Sequence, residues 1–375
     1  MSEIPINKLL DNTFPKSNKD DWRKVASGEL NGNEPFKQLA WNIGDSLTFS
    51  PYYDKQDLQH FSLHGKFIQR GKKDSFLGNR AWYNQPMVTV NNDADANKSA
   101  LEHLRNGADG VLFQLSSTEA DLGKLLNEIE AEYCVLSFNG VNARFVEMFY
   151  EYIRRNKITT EKLTGSFFWD KLPEDRVIPS LPSQGIKSLG LNISHDEPLN
   201  EITTALFEGA KALSAANDEK QLAALAQNIS FSLQAHNDFL TQIAKLKTLR
   251  LLWFQVVQAY GVKSYHPQDL HIHVACAPWI NEKFQPHGNM LHATTSAMAS
   301  VIGGADAITV LSEEETNTTM NRIARNVSNI LREESHFDKV SDPLAGSYVV
   351  EAMVDQMAQK AWSMFQKKHY ANVEA

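Results

Sequence analysis

The stretch that decides the fold begins at Pro86-Met87-Val88-Thr89-Val90 and is stopped by Asn91-Asn92-Asp93. Its β-branched residues and polar stop read as a strand. Residues 94–106 then place apolar side chains at helical spacing, and residues 109–115 give a second strand. Within it, Gly110-Val111-Leu112-Phe113 has no polar alternation, as expected of a strand covered on both faces.

Outward from this unit the rhythm repeats. Further strands are expected at 133–138, 163–169, 186–193, 228–233, 270–275 and 306–311. Helices are expected at 118–131, 141–156, 196–216, 237–260, 286–302 and 320–334, with a closing helix at 355–367. A Pro-rich stretch, 172–184, stands where a fourth helix would be. Eight strands mostly alternating with helices predict a (β/α)8 TIM barrel of parallel strands, over roughly 86–345. The alternative is a doubly wound open sheet. Its glycine-rich phosphate turn should follow the first strand, where this chain has Asn91-Asn92-Asp93-Ala94. Residues 1–80 are polar and irregular, an extended N-terminal leader with a short helix at 22–30 and little core of its own. Residues 81–375 are assigned to the barrel and its closing helix.

The 375 residues carry a net charge of −8 with no basic block, which argues against a nucleic-acid partner. No run of about 18 apolar residues is present, so no membrane span is expected. Cys134 and Cys276 each sit in an apolar run and read as reduced core residues. With an acidic N-terminus lacking a targeting pattern, the expected compartment is the cytoplasm.

Chemistry in a barrel belongs at the C-terminal strand ends. Those positions hold Asn91, Asn92 and Asp93, Ser116 and Ser117, Asn139, Trp169 and Asp170, and Ser194 and His195. They continue with His236 and Asn237, Cys276 and Trp279, and Ser312 and Glu313. His195 and His236 are the two possible acid/base histidines. No catalytic residue is assigned. His195, as general acid or donor to a substrate carbonyl, is the weak candidate, better read as a helix entry with Asp196 as cap. His236 better reads as the opening of the longest helix. His271 and His273 share a face of one strand, but no carboxylate or cysteine set completes a metal site. Asp269-Leu270-His271 begins like the cobalamin signature Asp-x-His-x-x-Gly, yet position 274 is valine. Phosphate-loop, dinucleotide, zinc-protease and nucleophile-elbow motifs are absent from the sequence.

Three segments carry a family resemblance. One runs Asn237-Asp238-Phe239-Leu240-Thr241-Gln242-Ile243-Ala244-Lys245-Leu246-Lys247-Thr248-Leu249-Arg250-Leu251-Leu252-Trp253. The second pairs Arg322-Ile323-Ala324-Arg325-Asn326 with Asp342-Pro343-Leu344-Ala345-Gly346-Ser347-Tyr348. The third is Thr294-Thr295-Ser296-Ala297-Met298-Ala299 through Gly303-Gly304-Ala305. Together they resemble the adenosylcobalamin-dependent methylmalonyl-CoA mutase family, whose substrate domain is a (β/α)8 barrel.

Where catalytic members have Arg-Gln-Tyr-Ala-Gly-Phe, this chain has Gly78-Asn79-Arg80-Ala81-Trp82-Tyr83. Their Ser-Gly-Tyr-His-Met-Gln is replaced by Asn192-Ile193-Ser194-His195-Asp196-Glu197, and their His-Thr-Asn-Ser by Val310-Leu311-Ser312-Glu313. The resemblance therefore implies the small subunit of a heterodimeric mutase, inactive alone, with adenosylcobalamin on the large partner subunit. It implies no cofactor-binding and no metal residues here, no cobalamin-binding domain, and a leader that wraps the partner. Two alternatives stay open: a competent acyl-CoA mutase barrel with a cobalamin domain supplied in trans, and an acyl-CoA-binding or partner-binding module. Phe113, Phe138, Phe168 and Phe231 are expected to point inward and close the barrel to a pantetheine arm.

Overall fold

The computed structural model describes residues 17–44, 47–57, 81–174, 185–236, 238–276 and 288–373. Ahead of the barrel stand helix α1 (Lys19–Glu29), a single turn α2 (Pro35–Gln38), and an antiparallel hairpin of β1 (Trp41–Ile43) and β2 (Leu47–Phe49). Asn18 and Asp21 form a capping box that starts α1. The leader does contribute core: Leu47 and Phe49 are buried, and β2 lies against the C-terminal helix. Residues 66–77 and most of 172–184 lie outside the described residues.

The barrel elements follow in order. They are β3 (Tyr83–Asn84), β4 (Met87–Val90), α3 (Asp93–Arg105), β5 (Gly110–Leu115), α4 (Leu122–Leu125), β6 (Val135–Asn139), α5 (Ala143–Arg155), β7 (Ser166–Trp169) and β8 (Lys187–Asn192). Next come α6 (Pro198–Ser214), α7 (Glu219–Asn228), β9 (Ile229–Gln234), α8 (Phe239–Ala259), β10 (His271–Cys276), α9 (Gly288–Gly303), β11 (Ala307–Val310), α10 (Thr318–Glu333) and α11 (Tyr348–Val373). All nine sheet strands are parallel, in the order β3-β11-β10-β9-β8-β7-β6-β5-β4.

β3 and β4 are halves of one strand, interrupted at Gln85-Pro86 because proline has no amide hydrogen for the ladder. Bonding continues through the break. The amides of Tyr83 and Gln85 donate to Asp306 and Ile308 on one side, and those of Asp109 and Leu112 donate to Asn84 and Pro86 on the other. The first strand thus touches both the second and the last, and the ring of eight closes. The eight strands match the sequence reading in number, order and approximate bounds.

Three local expectations were wrong. The helix expected at 118–131 is only α4, one turn capped by Asp121; Glu128 takes a φ of 60°, which no helix continues through. Helix α7 was missed because its apolar stripe, Leu222 to Leu225, is short. Helix α11 begins at Tyr348, seven residues before the expected start.

Strand direction also corrects the reading of the phenylalanines. Phe113 stacks on Phe138, and Phe138 meets Phe145 and Phe149 of α5; Phe231 meets Trp253 of α8. These three rings point outward to the helices. Phe168 alone of the four points inward, 5.3 Å from the ring of His273. In strands buried on both faces, apolar character does not tell which face is which.

The family-like blocks meet in space. Lys247 of α8 pairs with Asp342 at 2.5 Å, both nearly buried. Arg250, also buried, donates to the carbonyls of Leu270 and Gly304 and to Asp306 at 2.7 Å, tying α8 to the N-terminal entries of β10 and β11. A turn precedes α11, with Gly346 at φ 79°, a left-handed value that suits glycine.

Candidate functional site

Alternation along each strand selects what faces the barrel axis. Around the centre this puts Gln85, Ser137, Ser166, Ser230, Ser232, His273 and Thr309, all buried. They form a hydrogen-bonded belt. Ser230 Oγ donates to Ser166 Oγ at 3.1 Å, the Ser166 amide donates to Ser137 Oγ at 3.1 Å, and Gln85 Nε2 donates to Ser137 Oγ at 3.1 Å. Thr309 Oγ1 donates to the Gln85 carbonyl at 2.5 Å. His273 bridges the remaining gap, with Nε2 2.9 Å from Thr309 Oγ1 and Nδ1 2.9 Å from Ser232 Oγ.

The hydroxyl proton of Thr309 is committed to Gln85, so His273 must donate from Nε2 and accept from Ser232 at Nδ1. Burial lowers the imidazole pKa to about 3, so it stays neutral. Gly190 leaves the belt room: a Cβ there would sit 2.6 Å from Phe168 Cδ1 and 2.9 Å from Ser230 Oγ. Water does not reach Ser137, Ser166, Ser230, His273 or Thr309, each with 0% exposure. The centre is closed, as expected, but by interlocked small polar groups and one ring rather than by four phenylalanines.

The rim at the strand C-termini is less organised. His195 is exposed after β8 and makes no hydrogen bond or ion pair with a described residue. Asn91 accepts from Ser116 Oγ at 2.8 Å, Asn92 caps α3, and Asp93 accepts the amide of Asp121. Asn139 donates to Gln114, Asn192 donates to Asp170 at 3.3 Å, and Trp169 Nε1 donates to the Ser188 carbonyl. Ser194 is exposed beside His195, and Ser312 Oγ donates to the Glu314 carbonyl. Asn237 and Trp279 lie outside the described residues. The structure therefore does not gather the expected rim residues around His195.

What it gathers instead is a buried ionic cluster behind the end of β9. Lys245 Nζ donates to Glu201 Oε2 at 2.5 Å and to the Gln234 carbonyl at 2.6 Å; both charged side chains have 0% exposure. Glu201 also accepts the Gln234 amide at 3.2 Å and faces His236 Nε2 at 3.2 Å. Burial pushes the Glu201 carboxyl up, but Lys245 and His236 outweigh it, and the group titrates below the ordinary value. Next to it, Cys276 Sγ lies 3.9 Å from Ser300 Oγ, and burial raises the thiol to about 11, so it is no nucleophile. Reading the rim missed Glu201 and Lys245. A lysine between Ala244 and Leu246 on a largely apolar helix was the available signal.

His271 and His273 share the inward face, as expected. Among the described residues no group of three His, Cys, Asp or Glu could hold a metal. Among them also, no helix is long and apolar enough to cross a membrane.

A closed (β/α)8 ring with a polar, hydrogen-bonded centre defines this as a barrel protein of the kind whose chemistry sits at the strand C-termini. The family model described as methylmalonyl-CoA mutase matches residues 186–370. The methylmalonyl-CoA mutase small subunit of Porphyromonas gingivalis is 26% identical over 387 residues, spanning 94% of this chain and 63% of its own length. That of Streptomyces virginiae is 26% identical over 416 residues, spanning 98% and 66%. The methylmalonyl-CoA mutase of Escherichia coli K12 is 21% identical over 414 residues, spanning 94% and 58%. Over most of its length the chain is thus similar to methylmalonyl-CoA mutases, and most clearly over residues 186–370. It spans less than two thirds of the length of these relatives. A solved dihydropteroate synthase from Xanthomonas albilineans covers 68% of this chain and 93% of its own at TM-score 0.39 and 12% identity, too distant a likeness to bear on the site.

Proposed function

We propose that this chain is the non-catalytic small subunit of a heterodimeric methylmalonyl-CoA mutase. In this reading it supports a large subunit that interconverts methylmalonyl-CoA and succinyl-CoA by radical rearrangement. The observation that carries the reading is the closed barrel centre. A thioester arm threaded along the axis would have to displace the belt of Ser137, Ser166, Ser230, His273 and Thr309, to which water itself has no access. The names of the two small-subunit relatives support the same role.

Adenosylcobalamin belongs to the partner in this reading, because the residues here do not fit it. His271, the histidine of the incomplete signature, is buried in β10 and faces the barrel interior. The polar leader wraps the large subunit, and the assembly is cytoplasmic. His195, exposed and without a hydrogen bond or ion pair to a described residue, has no catalytic part in this reading.

The test is an assay of methylmalonyl-CoA turnover with adenosylcobalamin, using the chain alone, the large subunit alone, and both. Activity is expected only where the large subunit is present, unchanged by His195→Ala. Turnover by the isolated chain would overturn the proposal.

A further inference from the structure

A cleft of about 400 Å³ lies beside the barrel, between the β4–α3 unit and the β11–α10 unit. Its walls are apolar at Val88, Ala96, Val310 and Ala324 and open toward the mouth past Asn92 and Ser312. Arg325 of α10 lines it with only 5% exposure. This guanidinium makes no ion pair with a described carboxylate. Its Nη1 donates to His103 Nδ1 at 3.2 Å, and its buried Nε has no hydrogen-bond partner among the described residues.

His103 does not neutralise it. Burial first, and the Arg325 charge second, lower that imidazole to about 4, so it is an uncharged acceptor. Glu102 attracts Arg325 from beyond ion-pair distance and Arg322 repels it. Buried charges are normally paired, and an unpaired one is costly. Nε is enclosed, so the donor this guanidinium can offer an oxyanion is Nη2, which makes no hydrogen bond with a described residue. At the rim of the same cleft stand two carboxylates, Asp95 and Glu315, the latter accepting from Thr89 Oγ1 at 2.9 Å. They disfavour a bare inorganic anion and favour a ligand whose far end carries hydroxyl donors.

We propose that this cleft binds a small hydroxylated organic anion, its phosphate or carboxylate seated on Arg325 and its hydroxyl groups facing Asp95 and Glu315. The volume is ample for such a ligand together with ordered water. The proposal is independent of the subunit role above, since no part of the barrel centre is used.

The experiment is calorimetric titration of the full chain with glycerol 3-phosphate, glycerate, inorganic phosphate and glycerol. Binding of glycerol 3-phosphate or glycerate at least tenfold tighter than of phosphate or glycerol is expected; which of the two binds better identifies the anionic group. Arg325→Gln should weaken that binding at least tenfold. Because Arg325→Gln removes a buried group, Ser99→Phe, which fills the cleft from its half-buried wall, provides a second variant with the same expected loss. The proposal is overturned if neither organic anion binds, if inorganic phosphate binds equally well, or if binding survives Ser99→Phe.

Discussion

Replacing Lys245 by methionine tests whether the buried cluster behind β9 holds the barrel together. Methionine keeps the volume of the lysine stem and removes the ammonium. Glu201 would then keep only the Gln234 amide and His236, each at 3.2 Å, and the Gln234 carbonyl would lose its 2.6 Å donor. Both partners have 0% exposure, so solvent screening gives no relief. Removing one partner of such a pair typically costs about 3–5 kcal/mol, because the other charge is left buried. The pH dependence near the site should reverse. In the native chain Glu201 titrates below its ordinary value, so its contribution is present at neutral pH and fades as pH falls through the folded value. In Lys245→Met burial dominates, the carboxyl titrates above its ordinary value, and lowering the pH from 7 to 5 should shrink the deficit.

Urea denaturation followed by circular dichroism at both pH values measures this. The double variant Glu201→Gln/Lys245→Met should recover about 2 kcal/mol relative to the sum of the single changes, since the orphaned charge is gone. A loss below about 1 kcal/mol for Lys245→Met at pH 7, or strict additivity in the double variant, would refute the reasoning.

Three further outcomes follow from the barrel centre and the closing turn. His273 has a folded value of about 3 against an ordinary 6.5, so the unfolded chain takes up a proton first as pH falls. Its contribution is complete above pH ~6.5 and is lost on acidification at about 1.4 kcal/mol per pH unit; urea titrations at pH 7.5 and 5 should differ by about 2 kcal/mol more in the native chain than in His273→Gln. Gly190→Ala should destabilise by about 3 kcal/mol or more, because its Cβ would lie 2.6 Å from the Phe167 carbonyl oxygen; thermal unfolding unchanged from the native chain would contradict the packing described. Gly346→Ala has open space around it but a φ of 79°, so only the strain of a left-handed residue, about 1–2 kcal/mol, is expected in the same measurement.

Much of the scaffold was legible. Alternating strand and helix signals from Met87 to Val310 placed all eight strands, since period and β-branching are local properties of the chain. The family-like blocks were legible too, although their common purpose was not: Lys247 and Asp342 stand 95 residues apart and pair only in the fold. The site was less readable. His195 drew notice as a histidine at a strand end, yet it stands exposed, with no hydrogen bond or ion pair to a described residue. Glu201 and Lys245 passed as members of two separate helices, and Arg325 as part of a family-like block.

The sequence by itself determined the number and order of the barrel's strands, because each follows from contacts within a few residues. Only the tertiary structure decided which face of each doubly buried strand looks inward. It turned Phe113, Phe138 and Phe231 to the helices and gathered Ser137, Ser166, Ser230, His273 and Thr309 into one belt. The reason is physical. In a strand covered on both sides, burial selects apolar or hydrogen-bonded side chains at every position, and the direction of each is fixed by strand pairing and ring closure.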